Sequence, residues 1–200
     1  MRRLATRLLK ALLFLVAFVA ALWTFLPWRE AGVASLTLAG DVLERHGMRL
    51  AFSDVEAAGG GFTVNGLSVS GFTTFSFRSL TLRPQLMASL LSLAPVCEAD
   101  FTGGEMTMGQ AMNFGDGGFL LTAGRDGVLL ERLRTDGDFA ISGFVALDPG
   151  RMKISRAEAA ISVPQSFEGN METLQGFLPL VREGSGWVLR RAPSEGGAAQ

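Results

Sequence analysis

One histidine, one cysteine, a row of methionines and three Asp-Gly pairs are the residues of this chain with chemistry in reach. His46 is the sole imidazole of 200 residues. It closes a helical stretch, where the C-terminal dipole favours an imidazole without any catalytic role. A Ser/His/acid site built on it would need a nucleophile motif, and the sequence offers none. Cys97 has no CxxC partner and opens an apolar strand, so it reads as a packed thiol; a single cysteine allows only an intermolecular disulfide. Met106, Met108 and Met112 share one parity, and thioethers in a row can hold copper(I). With no histidine or second cysteine nearby, they read as ordinary core filler. Asp116-Gly117, Asp126-Gly127 and Asp136-Gly137 lack the ligand spacing of a calcium loop and read as hairpin turns. Asp136 and Asp138 flank one such turn and read as solvated carboxylates. No glycine-rich loop leads from a strand into a helix to cradle phosphate. The residues thus imply neither enzyme, cofactor nor metal.

The elements that would mount these residues are mostly strands. Hydrophobic residues make up 48% of the chain, and beyond the N-terminal block they alternate with polar ones, the signature of half-buried strands. Residues 59–84, GGGFTVNGLSVSGFTTFSFRSLTLRP, carry this pattern most plainly. Phe62, Val64, Leu67, Val69, Phe75, Phe77, Leu80 and Leu82 are its apolar positions, and they form the candidate binding face. The parity changes between Val64 and Leu67, and again between Phe77 and Leu80. A one-residue slip would turn every later side chain to the other face. Asn65-Gly66 at the first change reads as a hairpin or a bulge, and Ser79 at the second as a bulge.

Further strands are expected at 49–52, 96–101, 105–112, 119–122 and 128–133, then at 139–147, 152–154, 158–163 and 187–189. Residues 84–94 read as a short helix, with Pro84 at its first position and Leu86/Leu90 and Met87/Leu91 as an apolar stripe. That helix is the expected cover of the apolar face, or part of it. Asn170 is expected to cap a second short helix carrying Met171, Leu174, Phe177 and Leu178. Residues 29–47 read as a helix with Leu36, Val42 and Leu43 on one face and Gly47 as its stop. Successive short strands and tight turns give a mainly β fold, an antiparallel sheet curled into a half-pipe, a sandwich or an open barrel.

The front of the chain is of another kind. Residues 8–28, LLKALLFLVAFVAALWTFLPW, contain one charge, Lys10, which can snorkel. Roughly 20 apolar residues suffice to cross a bilayer. Leu8, Leu12, Phe14, Val16, Phe18 and Leu22 are its apolar body, and Trp23 and Trp28 suit the far headgroup layer. Arg2, Arg3, Arg7 and Lys10 hold the N-terminus in the cytoplasm. A cleaved signal peptide is the alternative, with Val19-Ala20-Ala21 as its cleavage site, but the apolar run continues past it. The remaining chain has 14 basic and 19 acidic residues, which disfavours nucleic acid. The expected layout is a basic cytoplasmic tail (1–7), an anchor (8–28), a linking helix (29–47), a periplasmic β domain (48–190) and a frayed tail (191–200).

One order of features carries a resemblance. After the anchor and helix come Ala51-Phe52-Ser53-Asp54-Val55, Gly66-Leu67-Ser68-Val69 and Ser79-Leu80-Thr81-Leu82-Arg83-Pro84. A Leu-rich helix, Gly103-Gly104-Glu105, Leu178-Pro179-Leu180 and Gly186-Trp187-Val188-Leu189 follow. The order resembles the type II secretion system protein N family, also called general secretion pathway protein N. It is similar, more loosely, to AsmA-type envelope proteins, and more weakly still to anchored jelly rolls of lipopolysaccharide export. The first resemblance implies a non-enzymatic inner-membrane accessory that binds other secretion proteins in the periplasm. The second implies an apolar groove for lipid. A closed sandwich with no groove is the third reading of the same alternation.

Overall fold

The computed structural model describes residues 10, 13–14, 17–19, 21, 23–71, 73–108, 110–124, 127–148, 153–176, 178–184 and 186–191. Among the described residues no helix is long and apolar enough to cross a membrane. Leu8, Leu12, Val16 and Leu22 of the expected anchor lie outside them, as do residues 1–7 and 192–200. Leu13, Phe14, Phe18, Phe25 and Leu26 of the same segment are exposed.

Helix α1 (Trp28–Arg45) has Glu30 in its first turn and Arg45 in its last, both favoured by the helix dipole. Gly47, at φ +75°, lets the chain turn out of it. Its buried residues are Trp28, Gly32 and Leu36, an i, i+4, i+8 row on one face. Val42, expected on that face, is half exposed to solvent, because the contact stripe runs through the glycine. Trp28, expected at a headgroup layer, is buried and meets Trp23 edge-on at 4.7 Å.

Most of the other described residues form one antiparallel sheet of eleven strands: β1 (Arg49–Ala51), β2 (Asp54–Ala58), β3 (Gly61–Ser70), β4 (Thr74–Pro84), β5 (Val96–Met108), β6 (Gln110–Gly124), β7 (Gly127–Thr135), β8 (Ala140–Asp148), β9 (Lys153–Ser162), β10 (Leu180–Glu183) and β11 (Gly186–Arg191). The order is β1-β3-β4-β5-β6-β7-β8-β9-β11-β10, with β2 also on β3, so the sheet is open, with β1 and β2 at one margin and β10 at the other. Neither a second sheet nor a closed barrel forms among the described residues. Helix α2 (Leu86–Ser92) joins β4 to β5, and a 3₁₀ turn (Gln165–Phe167) runs into α3 (Glu168–Leu174) before β10. Pro84 is the last residue of β4 and not the start of α2, and Asn170 lies inside α3 and does not cap it. Residues 105–112, expected as one strand, are a reversal: β5 and β6 turn back on each other with Met108 opposite Gln110.

The parity changes have a shared cause. Pairing of β3 with β4 runs from Phe62↔Leu82 to Ser70↔Thr74 with no residue added on either side. Gly66 sits at φ +61° with the Ser53 hydroxyl pressed against the place of a β-carbon. A side chain is thus excluded there, and both strands kink together. Next to them β5 and β6 shift register at Gly104 and Gly115. Asp116, expected in a hairpin turn, lies within β6 at this kink. Its carboxylate accepts from the Gly103 N–H at 2.9 Å, and its own N–H donates to Asp136 at 2.6 Å. These bonds tie the kink in β6 to β5 on one side and to the turn after β7 on the other.

Candidate interaction surface

Directly opposed residues of an antiparallel pair lie on one face, so the register fixes which side chains share a surface. The eight apolar residues singled out above form four opposed pairs: Phe62↔Leu82, Val64↔Leu80, Leu67↔Phe77 and Val69↔Phe75. The face continues across β5 and β6 through Leu80↔Phe101 and Leu82↔Ala99, then Ala99↔Phe119 and Cys97↔Leu121. It goes on through Leu121↔Leu130 and Leu130↔Val145 to Val145↔Ala157 on β9.

Two parts of this face are covered. At one end Val55, Phe62, Val64 and Leu67 are buried with Leu36 of α1, while Phe77, Leu80 and Leu82 pack half-buried around them. The Arg29 guanidinium donates to the Val55 carbonyl at 3.0 Å, fixing the helix to the margin of the sheet. The cover is therefore α1. Helix α2, expected to supply it, buries none of its residues. At the other end Met112, Phe139, Phe167, Met171, Leu180, Trp187 and Leu189 share a second core, closed by the 3₁₀ turn and α3. Met106 packs against it, so Met106 and Met112 of the methionine row serve as core.

Between these cores Ala99 and Phe101 are buried, and the face beyond them is only partly covered. Phe119, Leu121, Val128, Leu130 and Leu147 are half-buried and belong to neither cluster. Phe75, from the original eight, is 38% exposed. The sequence marked these strands by the apolar runs in 119–122 and 128–133, but nothing there distinguished them from the covered part. On the opposite face, Asp100, Gly118, Arg134 and Ser142 oppose one another in turn. A depression of about 980 Å³ opens over them, rimmed by Glu98 and Arg132.

The residues considered for chemistry lie apart. His46 is exposed and its Nδ1–H donates to the Val42 carbonyl at 2.9 Å, closing the end of α1. Cys97 is half-buried, and burial pushes its thiol up, helped by the Glu98 charge and opposed by a hydrogen bond from the Arg83 backbone. Among the described residues no three His, Cys, Asp or Glu side chains converge as metal ligands would. What the surface offers is apolar area and strand margins.

A family model described as "Type II secretion system protein GspN-like, Synergistales" matches residues 5–191. The chain belongs to that family. No curated protein and no solved structure matches it. The GspN-like match spans α1, the whole sheet and the segment 8–28 together, so the open sheet is the body of this family member and not an appended module.

Proposed function

We propose that this GspN-like chain is a non-enzymatic accessory of type II secretion, anchored in the inner membrane by residues 8–28, with residues 48–190 in the periplasm. It works by contacts with other proteins of the machine. The family match over residues 5–191 carries the reading. The positive N-terminus and the apolar run support the anchor and its orientation. The margin of the sheet supports the mode of contact. Strand β10 pairs only with β11 among the described strands, and Val181 on it is 45% exposed. An uncovered margin is a template for an added strand.

A photoreactive amino acid at Val181, used in intact cells, tests the proposal. Adducts with secretion proteins are the expected result, and their absence at this margin removes strand addition as the mode of contact. Val64 is the wrong place for such a probe, being wholly buried. A second reading, lipid held on the apolar face, is favoured by the half-buried stripe of Phe119, Leu121 and Leu130. A probe at Leu130 that yields phospholipid adducts, with none to protein from Val181, selects it.

A further inference from the structure

We propose that α2 is a second membrane contact, a leucine knob that enters the bilayer surface beside the N-terminal segment. The inference rests on the anchor reading above. Met87, Leu90, Leu91 and Leu93 are 69%, 61%, 84% and 92% exposed, in a helix with no buried residue. Leu93 is held at φ +53°, a left-handed conformation that side chains resist, and its apolar body points into the open. Nothing within the sheet rewards that arrangement.

The chemistry of the knob fits lipid. From Pro84 to Cys97 there is no charged residue. The first charges beyond it, Arg83 and Glu98, oppose each other on β4 and β5, and Arg83 binds Asp100 at 2.6 Å. Gln85 donates to Glu98 at 3.0 Å on the same row. An uncharged apolar tip above a paired, polar row is the profile of an element seated at headgroup level.

Position selects lipid over a soluble partner. The Trp23 indole nitrogen would lie 3.5 Å from a β-carbon on Gly60, in the turn between β2 and β3. Gly61, the next residue, abuts the Leu82 carbonyl and the Arg83 backbone, and Pro84 leads into α2. Trp23 and the start of α2 thus meet the same end of the sheet, on the neighbouring strands β3 and β4. A protein seated on α2 would compete for the space the bilayer takes around the N-terminal segment.

Depth-dependent quenching in the full chain tests this. Cys97→Ser removes the native thiol, and single cysteines replacing Leu91, Phe18 or Thr107 carry an environment-sensitive dye. The chains are reconstituted in phosphatidylcholine–phosphatidylglycerol vesicles containing spin-labelled lipid. Quenching at Leu91 and Phe18, several-fold above that at Thr107 on the far end of β5, is the expected result. Quenching at Phe18 with Leu91 accessible only to aqueous iodide overturns the knob and leaves the anchor. Quenching at Leu91 without Phe18 supports the knob and overturns the anchor. Quenching at neither overturns both. If the Cys97→Ser chain does not fold, a photoreactive residue at Leu91 in the otherwise unaltered chain reads the same contact. A phospholipid adduct then supports the knob, and a protein adduct alone overturns it.

Discussion

A β-carbon on Gly32 would stand 2.7 Å from the Phe62 ring and 2.9 Å from Val55, whereas one on Gly40 would meet nothing within 4 Å. Both glycines lie in α1, about two turns apart. Glycine in a helix interior is unfavourable by about 0.8–1 kcal/mol against alanine, so each position loses stability unless something offsets it. At Gly32 the offset is the close approach that lets the helix lie on Val55 and Phe62. Gly32→Ala is expected to destabilise the chain by about 1–3 kcal/mol through overpacking of a buried ring. Gly40→Ala is expected to stabilise it by up to about 0.8 kcal/mol. Denaturant unfolding of the full chain in detergent micelles measures both. Equal effects of the two changes would mean that α1 does not seat through Gly32. The sequence could not reveal this contact, because a glycine in an apolar stripe carries no hydrophobic signal, and Val42 and Leu43 offered a more visible one.

Elements were legible where the pattern changed and illegible where it did not. In β3 and β4 both parity changes stood in the sequence, and they lie beside each other because Gly66 kinks the pair together. At the β5–β6 reversal the pairs Met106↔Met112 and Met108↔Gln110 are symmetric about one residue. Even positions therefore stay on one face through the turn, and period-2 alternation runs on as if no turn existed. Strand β2 holds only Val55 as a large apolar residue, and β10 spans four residues, so neither rises above its surroundings. The β7–β8 turn, by contrast, is bridged from within by one hydroxyl. Thr135 is buried; its Oγ1–H donates to the Phe139 carbonyl at 2.7 Å, and its oxygen accepts from the Ile141 N–H at 2.8 Å. Thr135→Val keeps the shape and takes this partner from the buried Phe139 carbonyl and the part-buried Ile141 N–H, and is expected to cost about 1–3 kcal/mol. Thr135→Ser keeps both bonds and is expected to lose far less. Unfolding midpoints of the two variants decide it, and a loss as large in the serine variant would assign the effect to the missing methyl group.

At the scale of the molecule, the two cores sit at opposite ends of one open sheet and share no residue. Between them β7 and the part of β6 beyond Met112 and Phe114 carry the half-buried stripe. In such an array each strand relies on its neighbours, and stability varies along the sheet instead of being uniform. The tryptophans are placed to read this. Trp23 and Trp28 stand at the α1 end, and Trp187 is 3% exposed in the core beneath α3. A chain with Trp187→Phe reports the first end by fluorescence, and one with Trp23→Phe and Trp28→Phe reports the second. A third chain with all three changes, followed by circular dichroism, corrects for their effect on stability. Two distinct denaturation midpoints are expected, with amide exchange fastest in β7 between them. Coincident midpoints would mean that the half-buried stripe couples the ends as one core. The surface open to a partner or a lipid would then be as costly to disturb as either covered end, and a contact there would stiffen the whole sheet and not its middle alone.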